Sequence, residues 1–188
     1  MELKNMVSRT GRHMQRYNFH GHRQVVGCIP YKYKCNIGMS SAPLVDEDEI
    51  EVLVITSQTK GKGMLFPKGG WEEDESIEEA ALRETVEEAG VVGDVEHKLG
   101  KWNFKSKNDT CYEGHMFPLL VKEQLESWPE KDVRQRIWIS VREARNVCQY
   151  RWMNEALELL VDRLTAQGNY EDKDEIGSLS QGGMKSNL

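Results

Sequence analysis

Gly69 to Val91 reads GGWEEDESIEEAALRETVEEAGV. Two glycines directly after Pro67-Lys68 end a strand in a tight turn. Asp74 and Ser76 both suit an N-cap, and Glu79 stands three residues after Ser76, where a capping box needs it. The spacing predicts a helix over 77–89, stopped by Gly90. At about 100° per residue, Ile77, Ala81, Glu84 and Glu88 fall on one stripe, flanked by Ala80 and Glu87. Glu78, Glu79 and Arg83 are expected to point elsewhere.

A solvated acidic helix is the plain alternative. The placement of the charges argues against it. Like charges three and four residues apart destabilise a helix, and setting them in line with apolar residues adds a desolvation cost. A hard divalent cation removes both penalties. It takes oxygen ligands and keeps waters and substrate phosphates in its shell. The neighbouring glycines let backbone approach a phosphate closely.

The segment resembles the Nudix box, Gly-x5-Glu-x7-Arg-Glu-U-x-Glu-Glu-x-Gly-U with U bulky and apolar. Gly69, Glu75, Arg83, Glu84, Glu87, Glu88, Gly90 and Val91 fill their places, and Thr85 takes the first U position as a mild departure. The resemblance implies an α/β fold of the Nudix kind, an α/β/α sandwich around a mixed β-sheet.

Composition agrees with one domain. The chain has 188 residues, 38% of them hydrophobic and 30% charged, and no apolar run near the ~20 residues that span a bilayer. Cys28, Cys35, Cys111 and Cys148 are scattered and form no CxxC, so they read as reduced thiols. The net charge of −6 is unevenly spread. Residues 1–34 carry Lys4, Arg9, Arg12, Arg16, Arg23, Lys32 and Lys34 against Glu2, while the box carries nine acids against Arg83. An acidic cation site with a basic rim for an anionic substrate follows. The basic start also resembles a transit peptide. With no apolar secretory region, cytoplasm or nucleus is the expected location, and the basic start makes mitochondria the alternative.

Outward from the box, 24–33 reads as a strand, 51–57 as a short buried strand, 59–63 as a turn and 64–66 as a strand feeding the glycines. Strands are expected over 91–104, 111–122 and 137–139, and helices over 141–147 and 150–164. The domain is expected over 18–167, after a basic extension at 1–17 and before an unstructured Gly/Ser-rich tail at 168–188.

The chemistry comes from the resemblance. Nudix enzymes hydrolyse a phosphoanhydride in an NDP-like compound. Glu84, Glu87 and Glu88, with Gly69, are the implied ligands of Mg²⁺, or of Mn²⁺ in its place, and Glu87 is a further ligand or the base. Lys68 and the backbone around Gly70 would meet charge on the phosphoryl group. Glu75 and Arg83 would pair structurally, and Gly90 would close the helix.

Other motifs narrow the substrate. Arg9-Thr-Gly-Arg12, Gln15-Arg16-Tyr17, Phe66-Pro-Lys-Gly-Gly-Trp71, Lys105-Ser-Lys107, Trp128-Pro-Glu130 and Arg134-Gln-Arg136-Ile-Trp138 together resemble the plant-type diphosphoinositol polyphosphate and diadenosine polyphosphate phosphohydrolases. Such a substrate is small and crowded with phosphates. It needs converging cations, for which Arg16, Arg23, Lys105, Lys107 and Arg134 are the candidates. The alternatives are a pyrophosphatase for another NDP-linked compound (ADP-ribose, a coenzyme or the mRNA cap) and a non-catalytic inositol pyrophosphate sensor. No other nucleic-acid partner and no membrane is expected.

Overall fold

The computed structural model describes residues 7–34, 45–58, 63–106, 108–148 and 150–176, with side chains to 166. Cys35, Lys107, residues 59–62 of the expected turn and residues 177–188 lie outside the described residues.

Eight strands make one mixed sheet: β1 (Arg23–Tyr33), β2 (Ile50–Thr56), β3 (Met64–Leu65), β4 (Lys68–Gly70), β5 (Val91–Val95), β6 (Gly100–Lys105), β7 (Cys111–Gln124) and β8 (Arg136–Ser140). The helices are α1 (Ile77–Ala89), α2 (Val141–Val147) and α3 (Arg151–Ile176). β1 and β7 form the parallel centre, paired over nine residues from Arg23↔Tyr112 to Tyr31↔Leu120. Each of these two strands then changes partner along its length. β1 pairs with β4 through Val25–Gly27 and with β2 through Tyr31–Tyr33. β7 pairs with β6 through Cys111–Met116 and with β5 from Leu119 onward. Pro30 and Pro118, which have no amide to give a ladder, fall close to these changeovers. The sheet therefore splays on the β4 side of β1, and the box begins there.

α1 lies on the sheet face that carries Val26 and Cys28, where the Cys28 thiol reaches the Ala81 carbonyl. The opposite face carries Val25, Gly114 and Phe104 and is covered by α3, with Trp152 stacked on Phe104 at 4.7 Å. The result is the three-layer α/β/α arrangement. Ile29, Tyr31, Leu53, Ile55, Phe66, Met116, Leu119, Met153, Leu157 and Leu160 fill its core.

Three readings differ from expectation. Gly69 and Gly70, expected as a tight turn, lie in β4, because they pair with Val26 and Val25 of β1. The strand expected over 91–104 is two strands, β5 and β6, because they pair with opposite ends of β7. Helix α3 runs on to Ile176, past the expected end at 164 and into the stretch from 168 expected to be unstructured.

Candidate metal and phosphate site

The site forms where β4 meets α1. Ser76 caps the helix: its hydroxyl accepts from the Glu79 amide at 3.1 Å, and the Glu79 carboxylate accepts from the Ser76 amide at 2.8 Å. Gly90 ends the helix in the left-handed conformation at φ 62°. Arg136 closes the same end by donating to the carbonyls of Ala89, Gly90 and Leu125, with its guanidinium 3.9 Å from the Trp128 ring centre. The helix is thus fixed at both ends, and its middle presents the carboxylates.

Glu84 faces Gly69 so closely that a Cβ on this glycine would stand 2.0–2.3 Å from the carboxylate atoms. A side chain at this position would have to push the Glu84 carboxylate off its place on Arg83. The Glu88 carboxylate accepts from the Lys68 amide at 2.8 Å and from the Arg134 guanidinium. Arg134 also donates to Glu130 at 2.5 Å and to the Thr56 carbonyl at 3.0 Å. Glu87 accepts from the Arg9 amide at 3.3 Å.

Arg83 sits at the centre, contrary to the expectation that it points away from the buried face. It grips Glu75 through two nitrogens at 2.6 and 2.8 Å, Glu84 at 2.7 Å and the Gly70 carbonyl at 2.9 Å, with Glu87 at 3.5 Å. The loop before the helix folds back over this side, so α1 is covered on more than its apolar stripe. Arg83, Glu84, Glu87 and Glu88 are all buried.

Around these residues seven carboxylates (Glu72, Asp74, Glu75, Glu84, Glu87, Glu88 and Glu130) meet four cations (Arg9, Lys68, Arg83 and Arg134), so carboxylates outnumber cations. Burial pushes Glu84 up to about 8, with Arg83 opposing and Glu88 adding to the rise. Burial likewise pushes Glu88 up to about 7, against the pull of Arg134 and Lys68. Glu87 is raised by the same cause. The Lys68 ammonium is lowered by burial, and the positive charges of Arg134 and Arg23 add to that.

A divalent cation fits this donor set. The donors these residues offer are carboxylate oxygens, the ligand type a hard divalent cation takes. Among the described residues no three His, Cys, Asp or Glu side chains close a metal shell by themselves.

The other sequence candidates divide. Arg23 stands near Lys68; its Nε donates to Gln15 at 2.7 Å, and among the described residues its two terminal nitrogens have no partner. Gly70 is the floor on which Gln15 packs. Arg16 is engaged elsewhere. It donates to the carbonyls of Glu72 and Glu73 at 2.9 and 2.8 Å and lies 4.5 Å from the Trp71 ring centre, so it ties the loop down. Lys105 is exposed at the end of β6, opposite Cys111, and the described contacts do not bring it to the carboxylates. Lys107 lies outside the described residues.

Sequence reading names Arg9, Gln15 and Glu130 only as members of family-like motifs, without a role at the site, and gives none to Glu72. Each reaches the box from far along the chain or from its loop, and no local pattern marks such pairings.

A NUDIX domain family model matches residues 39–160. The chain belongs to the Nudix hydrolase family. It is 61% identical over 163 residues to Nudix hydrolase 21, chloroplastic, of Arabidopsis thaliana, covering 86% of this chain and 78% of that one. It is 59% identical over 177 residues to Nudix hydrolase 17, mitochondrial, of the same plant, covering 93% of each. A lower match, 37% over 105 residues, is to diphosphoinositol polyphosphate phosphohydrolase 3-beta of Bos taurus, covering 55% of this chain and 63% of that one. Among solved structures, a NUDIX hydrolase from Nitrosomonas europaea superposes with a TM-score of 0.59 at 18% identity, covering 77% of this chain and 91% of that one, and so shares the fold. Nudix hydrolases generally use a divalent cation and act on small phosphorylated compounds. Among the described residues no helix is long and apolar enough to cross a membrane.

Proposed function

We propose that this Nudix hydrolase cleaves a phosphoanhydride in a diphosphoinositol polyphosphate or a long-chain diadenosine polyphosphate, with Mg²⁺ or Mn²⁺ as cofactor. The observation that carries the reading is the buried, uncompensated carboxylate cluster with the open Arg23 fork and Lys68 beside it. The bovine relative, named for diphosphoinositol polyphosphates, supports the same class.

Glu84 and Glu88, with Glu87 and the Gly69 backbone, would hold the cation. When bound, the cation would neutralise phosphoryl charge and acidify a water. The chain's own residues do the rest. Glu87, whose second oxygen accepts from the Arg9 amide and not from Arg83, would take a proton. Lys68 and the fork of Arg23 grip phosphate oxygens, and a two-pronged guanidinium suits them. Arg134 holds Glu88 and is positioned to exchange that carboxylate for phosphate. Arg83 holds Glu75, Glu84 and the Gly70 carbonyl together, so the turn and the helix keep one geometry.

The organelle names of the two plant relatives favour mitochondria or chloroplast over cytoplasm for this chain. Residues 14–16 pair with 71–73, so a leader cut beyond them would strip part of the site.

The test is Mg²⁺-dependent turnover of a diphosphoinositol polyphosphate, diadenosine hexaphosphate and ADP-ribose side by side, with Glu88→Gln as the blank. Preference for either polyphosphate, lost in Glu88→Gln, supports the reading. Preference for ADP-ribose moves it to the pyrophosphatases. Tight binding of the inositol compound without turnover moves it to a sensor.

A further inference from the structure

Among the described residues before β1, Gln15 has the one buried polar side chain. Backbone bonds place it there. The Arg16 amide donates to the Trp71 carbonyl and the Glu73 amide to the Met14 carbonyl, both at 2.8 Å, which sets Gln15 opposite Glu72. Its side chain then lies over Gly70, where an added Cβ would stand 1.7–2.3 Å from the amide atoms. Gly70 has no side chain in the space Gln15 needs.

The Gln15 amide oxygen accepts from Arg23 Nε at 2.7 Å, and the Arg23 guanidinium lies 6.0 Å from the centre of the Tyr112 ring. An arginine held at Nε keeps its two terminal nitrogens for a ligand, in a plane already fixed. Orienting it beforehand spares the ordering cost at binding. An amide suits this better than a carboxylate, which would neutralise the charge it orients.

We propose that Gln15 is a positioning residue for Arg23, setting its guanidinium plane so that the free fork grips a substrate phosphate. This rests on the reading of Arg23 as a phosphate ligand, but not on which polyphosphate is the substrate.

The experiment uses the full chain. Binding of inorganic tripolyphosphate is measured by calorimetry without divalent cations, alongside kcat and KM on the best of the three substrates and a melting curve. Gln15→Met keeps the volume and removes the acceptor. It is expected to weaken tripolyphosphate binding and raise KM about tenfold while kcat changes far less. The double variant with Arg23→Met is expected to bind no more weakly than Arg23→Met alone, because the two act as one unit. A lower melting temperature with unchanged affinity and KM would make Gln15 purely structural and overturn the proposal, as would additive losses in the double variant.

Arg23→Met separates the two levels. If it binds as the native chain does, the phosphate role of Arg23 falls and the proposal with it. If it weakens binding and Gln15→Met does not, only the proposal falls. Should Gln15→Met fail to fold, Gln15→Glu serves. It retains the acceptor but cancels the charge, so weaker binding with a shallower salt dependence is expected, and native-like binding would overturn the proposal.

Discussion

Helices α1 and α3 are both amphipathic in sequence, yet they bury opposite things. α3 buries Trp152, Met153, Ala156, Leu157, Leu160, Val161 and Leu164, an apolar stripe in the ordinary sense. α1 buries Ala80, Ala81 and Val86, but also Arg83, Glu84, Glu87 and Glu88. Burying ions costs several kcal/mol each after relaxation, roughly, and partners offset that only in part. α3 stabilises the fold. α1 holds charge where an apolar residue would be more stable, which is what a site for a cation and a phosphate demands.

The largest expected effect breaks the comparison on the α1 side. Glu88→Gln keeps shape and hydrogen-bonding reach but removes the charge. Turnover should fall by about 10²–10⁴, while the cation-free melting temperature stays level or rises, since a strained charge is gone. Initial rates and melting curves on one preparation check this. A matching fall in stability would mean that Glu88 is a structural anchor like the residues of α3.

Arg83→Met and Leu160→Ala form the next pair. Arg83→Met leaves Glu75 and Glu84 buried without their partner and should cost about 3–5 kcal/mol as well as activity. Leu160→Ala opens a core cavity and should cost about 2–5 kcal/mol, with the specific activity of the folded protein unchanged. Urea melts and active-site-normalised rates separate the two. Equal effects on activity would erase the distinction between the helices.

The same contrast explains what was legible in the sequence. The capping box and both ends of α1 are local, and Ser76, Glu79 and Gly90 signal them within a few residues, whereas Gly69 and Gly70, which read as a turn, become a strand because β1 is there to pair with them. Glu84 and Glu88 were placed by helical periodicity alone. Arg83 was misplaced because periodicity presumes one buried face, whereas the Gly70–Glu75 loop and residues 9–16 cover a second. Arg16 looks like a free cation in sequence, and its bonds to the Glu72 and Glu73 carbonyls emerge only with the pairing of 14–16 to 71–73. Gln15 is legible only as a member of the Gln15-Arg16-Tyr17 motif, with no role attached. Its meaning depends on Gly70 and Arg23, and only the backbone pairing brings the three together. The split of β5 from β6 was hidden for the same reason, since each is defined by where it meets β7.

A pH series sharpens the charge account. Glu84 is raised to about 8 and Glu88 to about 7, chiefly by burial. Both values lie above those of an unfolded glutamate, so the cation-free folded state binds more protons than the unfolded one. The stability this contributes is present in full below the unfolded value near 4.5 and is lost as pH rises through about 7 and 8. Melting in chelator should therefore fall from pH 5 to pH 8.5. Added Mg²⁺ should restore more at the alkaline end, releasing protons on binding near neutrality. A flat profile in chelator would show that the carboxylates are already fully compensated.

The smallest effect tests whether α1 needs its own start signal when its middle is so unfavourable. Ser76→Ala removes the hydroxyl that accepts from the Glu79 amide. The expected cost is about 1 kcal/mol, or roughly 2–4 °C in a chain of this size. The change should also reach the chemistry, because the first turn fixes the rotation of the helix and so the aim of Glu84 at Gly69. A modest drop in Mg²⁺ affinity should therefore accompany the shift. Ser140→Ala, in the equivalent capping box of α2, should cost about as much stability and leave Mg²⁺ affinity alone, because α2 carries none of the carboxylates. If both caps changed Mg²⁺ affinity equally, global loosening and not the aim of α1 would be setting the site.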